Sequence, residues 1–420
     1  MNNIVHVTFD SLRADHCTHH GYHRDTTPTL LEMANEGVHY TNAVSPAEKT
    51  NPSMSSIVSG EPMVCRDDVA DPSNSRNHLQ KHGTIAEDLS RKGYTTIAIC
   101  PNAYASQYYG FDYGFTIFED FLFSGDSYEK LFDLHLNDSS FYTLARNLRN
   151  FIKREEAFRT WDTYIDQINE IVDDVSGPFY LWVFSMDTHI PFLTPRSHRQ
   201  WSNIFDQYYR NWIAYNLIGE NDAELKPNNH QKITDIYDDS LYFGDDLLRT
   251  LKQDLAEYNP TFVVHGDHGE SLGEHGRYGH FYPSLYEENT HVPLVVWNED
   301  INTEVIADPM ILTNIRQMTN ELATDEYVPM ATTSKQVVST TYNASRNLYV
   351  GAARSRSKKL IVEITPDSAN LSEYNISSGE DIEVEFDESF EPLLNALSNR
   401  IKIESDILTG RQLIKEGDTY

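Results

Sequence analysis

Residues 261–276 read TFVVHGDHGESLGEHG and join an apolar run to a glycine-rich loop of acidic residues and histidines. The apolar run from Thr261 to Val264 is short and partly β-branched, which predicts a buried strand. Asp267 and His268 follow this strand and can offer an oxygen and a nitrogen to one cation. The glycines let the backbone approach a bound group closely. The stretch therefore predicts a strand that leads into a metal site.

Further apolar runs predict other buried strands along the chain. Together with the first run they lie at 4–9, 179–185, 261–264 and 292–297. Helical patterns such as the amphipathic stretch 233–255 lie between them, and strands that alternate with helices form parallel sheets covered on both faces. We therefore predict an α/β fold with a mainly parallel central sheet sandwiched by helices. Functional side chains would collect beyond the carboxyl ends of the strands, where Asp10, Asp187 and Asp267 lie.

The C-terminal part of the chain has a different pattern. Short strands and one helix are predicted there, at 348–353, 359–364, 382–386 and 390–397. Short strands in succession favour a small antiparallel sheet. We therefore divide the chain into a metal-dependent catalytic α/β domain, 1–330, and a small C-terminal α+β subdomain, 331–420.

The charge of the chain excludes some partners. The sequence has 64 acidic and 33 basic residues and a net charge of −31. Such a surface repels phosphate backbones, so no nucleic-acid partner is expected. The acidic residues are dispersed and lysines are few, which favours a high-salt cytoplasm over an ordinary acidic protein. No apolar run is long enough to span a membrane and the first residues lack a signal-peptide pattern, so we expect a cytoplasmic protein without membrane insertion.

Three isolated residues have both a structural and a functional interpretation. Asp10 ends a strand and is either a metal ligand or a turn residue. Thr50 stands at the start of a predicted helix, where unpaired N–H groups favour an alkoxide. It is either an N-cap or a nucleophile, and a metal ion would have to assist its deprotonation. His189 follows a strand and either binds an anion, protonates a leaving group or lies in a solvated loop.

In combination these stretches resemble the sulfatase branch of the alkaline phosphatase superfamily over most of the chain. The opening strand that ends in Asp10 is similar to the start of that family. The helix that begins with Pro52-Ser53 and ends at Gly60 resembles its signature helix. The element 187–191, with sequence DTHIP, resembles its His-x-Pro loop, and the stretch 267–276 is the most specific match.

The resemblance implies roles for particular residues. It implies one divalent metal ion (calcium, magnesium, manganese or zinc), and the implied ligands are Asp10, Thr50, Asp267 and His268. Thr50 falls at the position of the covalent nucleophile. The implied substrate contacts are Arg13, His189 and His280, and the two histidines are also candidates for protonating the leaving group. His280 stands where sulfatases usually have a lysine.

The chain also departs from the family pattern. The sulfatase nucleophile is a formylglycine made from Cys or Ser, and threonine cannot form it because its Cβ carries a methyl group. Met54 replaces the arginine that supports formylglycine, and Ser11 replaces the second residue of the common Asp-Asp pair. We therefore expect no formylglycine and a single metal ion. A threonine nucleophile resembles the phosphodiesterases and phosphoethanolamine transferases of the superfamily.

These observations predict a metal-dependent hydrolase of a phosphate or sulfate ester, with a phosphodiester favoured. A transferase using the same nucleophile stays open, as does a sulfuric ester hydrolase of the arylsulfatase type. A third alternative is a catalytically degenerate binder of sulfated or phosphorylated glycans. The expected partner is a small anionic ester, with sulfated and phosphorylated sugars as candidates. The sequence leaves the oligomeric state open.

Overall fold

The computed structural model describes residues 2–64, 71–121, 159–218, 225–280, 282–377, 380–385 and 387–417. Its strands are β1 (Ile4–Phe9), β2 (Val38–Tyr40), β3 (Ala43–Val44), β4 (Thr95–Ile99), β5 (Ile117–Glu119), β6 (Phe179–Ser185), β7 (Thr261–Gly266), β8 (Ser271–Leu272), β9 (Tyr278–Gly279), β10 (His291–Val292), β11 (Leu294–Trp297), β12 (Glu304–Ile306), β13 (Met310–Ile311), β14 (Val337–Asn343), β15 (Leu348–Arg354), β16 (Lys358–Ile364), β17 (Ala369–Ser377) and β18 (Glu380–Val384).

The α-helices cover both faces of the central sheet. Within the described ranges they are α1 (Pro28–Glu36), α2 (Thr50–Ser59), α3 (Pro72–His82), α4 (Ile85–Arg91), α5 (Ile165–Asp173), α6 (Ile204–Leu217), α7 (Pro227–Asp254), α8 (Glu287–Thr290), α9 (Ile315–Leu322) and α10 (Glu391–Gly417). None of these helices has the length and apolar character needed to cross a membrane.

Eight of the described strands form one mixed sheet, in the order β12-β2-β11-β7-β1-β6-β4-β5. The central strand β1 pairs in parallel with both β6 and β7, and β4 pairs in parallel with β5 and β6. Only β11 runs antiparallel to its neighbours, β2 and β7, among these pairs. The predicted mainly parallel sheet is therefore confirmed.

Both faces of this sheet are buried, which explains its uninterrupted apolar strands. Side chains of β6 alternate between two cores: Leu181 and Val183 face one, and Tyr180 and Trp182 face the other. Helices α1, α5, α6 and α7 contribute to the first core, and α2, α3, α4 and α9 contribute to the second. The sheet is thus sandwiched by helices, as predicted.

The register of the central strands brings the polar residues beyond them together. Phe9 pairs with Ser185 on one side and with Gly266 on the other. The backbone N–H of Asp10 donates to Ser185, and that of Asp267 donates to Phe9, each at 3.0 Å. The carboxyl ends of β1, β6 and β7 therefore form one edge, and Asp10 and Asp267 extend from it.

The predicted strand 292–297 is wrong as a single element. Pro293 interrupts it, because proline has no N–H to donate to a neighbouring strand. The residues before Pro293 form β10, which pairs with β3, and those after it form β11 of the large sheet.

The C-terminal part is an antiparallel sheet of five described strands in the order β14-β15-β16-β17-β18. It contains the three predicted strands, as β15, β16 and β18, and also β14 and β17, which the sequence patterns missed. Helix α10 packs on it through Leu393 and Leu397, against Leu360 and Val362 of β16. The small antiparallel sheet is confirmed, whereas the boundary between 330 and 331 stays a prediction. Phe386, the end of one predicted strand, lies outside the described residues.

Candidate active site

Four of the predicted site residues meet at the carboxyl edge of the central sheet. Asp10 follows β1, Asp267 and His268 follow β7, and Thr50 is the first residue of α2. The hydroxyl of Thr50 donates to Asp10 Oδ2 at 3.4 Å and lies 3.3 Å from His268 Nε2. His268 Nε2 lies 3.7 Å from Asp10 Oδ1 and 3.5 Å from Asp267 Oδ2. We call these four buried residues the Asp10 cluster.

The Asp10 cluster has the chemistry of a divalent metal site. Asp267 Oδ1 accepts the backbone N–H groups of Ser11 and His268, but its buried Oδ2 has no hydrogen-bond partner among the described residues. His268 Nδ1 donates to the carbonyl oxygen of Gly269 at 2.8 Å. This tautomer leaves the Nε2 lone pair facing the carboxylates, as a metal ligand requires. One ligand atom from each of Asp10, Asp267 and His268 lies within 4.8 Å of the others. These residues therefore fit one divalent cation.

Two like charges meet in the Asp10 cluster. Burial and the charge of Asp10 raise the pKa of Asp267 well above its ordinary value. Burial also opposes ionisation of Asp10, but the imidazoles of His189, His268 and His280 together lower its pKa. Burial lowers the pKa of His268 to about 4, so its ring is neutral at pH 7. A divalent cation would balance the two carboxylates and leave His268 as a neutral ligand.

The two other predicted histidines border the cluster. The ring centroid of His280 lies 4.6 Å from that of His268 and 5.3 Å from that of His189. His280 Nδ1 lies 3.2 Å from the carboxylate of Glu270, and His189 Nδ1 donates to the carbonyl oxygen of Ile190 at 2.5 Å. These contacts engage Nδ1 in both rings. The structure brings both histidines to the cluster, and their roles stay predictions.

Arg13 is placed differently. Its buried guanidinium pairs with Asp15 at 2.7 Å and Glu274 at 2.8 Å, and it donates to the carbonyl oxygen of Glu270 at 3.0 Å. None of these contacts between described residues is to the Asp10 cluster. Arg13 thus ties the segment after β1 to the loop after β7, and its predicted contact with substrate stays a prediction.

Two site residues carried no prediction. Asn102 follows β4, and its Nδ2 donates to Asp10 Oδ2 at 2.7 Å while its Oδ1 accepts the N–H of Tyr104. Its position shortly after a buried strand, like that of Asp10 after β1, is a signal that could have pointed to it. Glu270 holds His280 as described above, and burial raises the pKa of its carboxyl to about 7. Its place in the loop after β7 was visible in the sequence, but its role there was not.

Comparison with known proteins identifies the family. The model of the family described as Sulfatase matches residues 2–333. Because the match covers most of the chain, the chain belongs to the sulfatase family. The resemblance seen in the sequence is therefore confirmed.

Similar folds and sequences occur in several esterases and transferases. The phosphonate monoester hydrolase of Agrobacterium radiobacter is 12% identical, with a TM-score of 0.67 over 97% of this chain and 96% of that one. A 2-O GAG sulfatase is 16% identical, with a TM-score of 0.68 over 99% and 94%. These likenesses confirm the predicted fold class. The phosphatidylethanolamine transferase Mcr-2 of Escherichia coli is 30% identical over 116 residues, which are 26% of this chain and 21% of that protein. The match thus spans about a fifth of that relative.

Proposed function

We propose that this chain is a metal-dependent ester hydrolase that acts on phosphoric esters, phosphodiesters above all, with Thr50 as covalent nucleophile. The observation that supports this most is the place of the Thr50 hydroxyl, which lies 3.4 Å from Asp10 Oδ2 and 3.3 Å from His268 Nε2. Thr50 is also the first residue of α2, where backbone N–H groups without helical partners favour the charge of an alkoxide. A hydroxyl in these surroundings is suited to attack an electrophilic centre.

The cofactor would be one divalent cation held by Asp10, Thr50, Asp267 and His268. When bound, it would lower the pKa of the Thr50 hydroxyl and neutralise charge on the ester oxygens. The oxygen ligands accept calcium, magnesium, manganese or zinc, and the nitrogen of His268 favours manganese or zinc. Asn102, which donates to Asp10 Oδ2, would orient that carboxylate toward its ligand.

The chain's own groups account for the bond changes. Thr50 Oγ1 attacks phosphorus, and a bond forms between them as the bond from phosphorus to the leaving oxygen breaks. The Thr50 hydroxyl gives its proton to Nε2 of His189 or His280, and the same nitrogen gives a proton to the leaving oxygen. Thr50 then carries the phosphoryl group with its remaining ester. Water attacks this phosphorus as the bond from phosphorus to Thr50 Oγ1 breaks, and the same histidine moves a proton from the water to Oγ1, which restores the hydroxyl. An alcohol in place of water would make the protein a transferase.

The side chain of residue 50 favours phosphorus over sulfur. Threonine cannot be converted to formylglycine, and Met54, on the next turn of α2, is fully buried in an apolar core. The family supports a second candidate, sulfuric ester hydrolysis by the unmodified threonine. Transfer of a phosphoryl-linked group is a third, which the match to Mcr-2, a phosphatidylethanolamine transferase, supports. The substrate would be a small anionic ester such as a phosphorylated or sulfated sugar.

We also propose a high-salt cytoplasm as the setting of the protein. The dispersed net charge of −31 supports this, since concentrated salt screens repulsion between exposed charges. Assays of the chain therefore belong in molar potassium chloride.

The proposal is tested by parallel turnover of an aryl phosphodiester, an aryl phosphomonoester and an aryl sulfate. The protein would be stripped of metal and refilled with each divalent ion, beside Thr50→Ala and the conservative Thr50→Ser. We expect metal-dependent phosphodiester turnover that Thr50→Ala abolishes and Thr50→Ser partly keeps. A dependence of sulfate turnover on Thr50 would instead support the sulfuric ester hydrolase.

Two results would overturn the proposal. Full phosphodiester turnover by Thr50→Ala would exclude the covalent role of Thr50. Metal binding without turnover of any ester, with or without an added acceptor alcohol, would favour a degenerate binder of anionic glycans.

A further inference from the structure

A second group of histidines lies outside the Asp10 cluster. His19 and His20 follow each other in the loop between β1 and α1, and His39 lies on β2. Their ring centroids are 4.5 Å apart for His19 and His20, 4.7 Å for His19 and His39, and 4.9 Å for His20 and His39. One ring nitrogen from each residue lies within 4.8 Å of the other two. We call these three residues the His19 cluster.

The closest pair of nitrogens has the spacing of two ligands on one ion. His20 Nε2 and His39 Nε2 are 3.4 Å apart. Two nitrogens bound at about 2.0–2.1 Å to a tetrahedral zinc ion lie about 3.3–3.4 Å from each other. Hydrogen bonds between two nitrogens are usually shorter, at about 2.7–3.2 Å. The spacing therefore fits two ligands on one cation and lies at the long end of the range for a hydrogen bond.

His19 gives an independent indication of a ligand. Both of its ring nitrogens are buried, and neither has a hydrogen-bond partner among the described residues. Such unpaired nitrogens are unfavourable inside a protein, and a cation would engage one of them.

The surroundings hold the His19 cluster in place. His291, at the start of β10, packs edge-on against His20 with a centroid distance of 5.2 Å, and its Nε2 donates to the carbonyl oxygen of Thr41 at 3.0 Å. The positive charge of Arg354 also lies near His20. Its guanidinium, however, donates to both carboxylate oxygens of Glu287. This pairing reduces the repulsion that a cation beside His20 would meet.

We propose that His19, His20 and His39 bind a second divalent transition-metal ion, zinc by preference, with water as the fourth ligand. Three neutral imidazoles suit zinc, whereas magnesium and calcium prefer oxygen ligands. The site shares no residue with the Asp10 cluster. An ion bound there would join the loop after β1 to β2.

The test is the zinc content of the full chain, measured by elemental analysis after dialysis. The variants are Asp267→Asn, which weakens the Asp10 cluster, and the double variant His19→Ala/His39→Ala. His23→Ala is the matched control, because His23 is an exposed histidine of the same loop. We expect two zinc equivalents in the wild type and in His23→Ala, and one in each of the other variants. We also expect the double variant to keep metal-dependent turnover, which separates this proposal from the proposed function.

The proposal would be overturned if the double variant kept two equivalents of zinc. It would also be overturned if the wild type bound one equivalent and Asp267→Asn bound none. A second measurement does not need the double variant to fold. The X-ray absorption spectrum of zinc bound to Asp267→Asn should show three imidazole ligands. A spectrum with two or fewer imidazoles would contradict the His19 cluster as its site.

Discussion

The Asp10 cluster and a second group, Glu287, Arg354 and Lys359, both bury charged side chains, but they balance those charges differently. Glu287 of α8 pairs with Arg354 of β15 and Lys359 of β16, each at 2.9 Å. We call this group the Glu287 ion cluster. In the Asp10 cluster two carboxylates face one neutral histidine, and Asp267 Oδ2 has no hydrogen-bond partner among the described residues. Charges neutralised by the chain itself hold the fold, whereas uncompensated charges mark a place for a ligand.

The two carboxyls titrate in opposite directions for this reason. Burial alone would raise the pKa of Glu287, but Arg354 and Lys359 lower it well below its ordinary value. Burial and the negative charge of Asp10 raise the pKa of Asp267. The same degree of burial therefore stabilises a charge in one cluster and opposes it in the other.

The largest expected effect is on catalysis in the Asp10 cluster. Thr50→Ala should lower turnover by about 10⁴-fold or more, because it removes the nucleophile. The free energy of unfolding should change by about 1 kcal/mol at most, since the substitution leaves the charges in place. Steady-state kinetics and denaturant unfolding of the same preparation would measure both. A loss of turnover that came with unfolding would point to a structural role for Thr50.

In the Glu287 ion cluster the effect should fall on stability instead. Glu287→Gln removes the carboxylate charge that pairs with both Arg354 and Lys359, so the free energy of unfolding should fall by about 3–5 kcal/mol. The matched control is Glu388→Gln, at an exposed glutamate, which should change it by less than about 0.5 kcal/mol. Urea unfolding would measure both variants. Equal losses of stability in Glu287→Gln and Glu388→Gln would show that the Glu287 ion cluster does not stabilise the fold, contrary to the distinction drawn from the Asp10 cluster.

Asp267→Asn should change the free energy of unfolding in the opposite direction from Glu287→Gln. Asparagine keeps an oxygen for the N–H groups of Ser11 and His268 and removes one of two like charges. In the presence of a chelator the free energy of unfolding should therefore rise by about 1 kcal/mol. Chelated unfolding curves of both chains would measure this, and a lower value for the variant would contradict it.

The dependence on pH should also distinguish the Glu287 ion cluster. The folded-state pKa of Glu287 lies below its ordinary value of 4.5, so its contribution to stability is complete above that pH and falls as the pH drops toward the folded-state pKa. The difference in unfolding free energy between wild type and Glu287→Gln should shrink by about 1 kcal/mol between pH 7 and pH 4. Unfolding at the two pH values would measure it, and a constant difference would show that Glu287 is not perturbed.

The smallest expected effect is that of salt on the same difference. Salt screens exposed charges far more than buried ones. Raising potassium chloride from about 0.1 M to about 2 M should stabilise both wild type and Glu287→Gln, yet change the difference between them by less than about 0.5 kcal/mol. Parallel melting curves would test this. If the difference in unfolding free energy between wild type and Glu287→Gln disappeared at high salt, the charges of the Glu287 ion cluster would be behaving as exposed charges.

The sequence was informative where residue type and place in the chain pointed to the same chemistry. Asp10 and Asp267 each follow a run of buried strand residues, and parallel strands place such residues at one edge. Thr50 starts a helix, and this position together with the family resemblance pointed to it as a site residue. The central sheet and most of the candidate site could therefore be predicted without coordinates.

Other features depend on contacts that no local pattern carries. Asn102 reaches Asp10 only because β4 lies beside β6, and the order of strands in the sheet is a tertiary property. Arg13 has a positive charge that suits an anionic substrate, but its guanidinium forms ion pairs with Asp15 and Glu274. Strand β17 is largely polar and exposed, so its sequence resembles that of a loop.

The most direct test of the central claim is to trap the group transferred to Thr50. The metal-loaded chain would be mixed with an aryl phosphodiester, quenched in acid during turnover and digested, and its peptides would be analysed by mass spectrometry. We expect Thr50 of the wild type to carry the phosphoryl group with the one ester that was not displaced. Residue 50 of Thr50→Ala should carry no adduct, and this variant should also be inactive. Continued turnover by Thr50→Ala, with the wild-type Thr50 unmodified throughout, would contradict the covalent role of this residue.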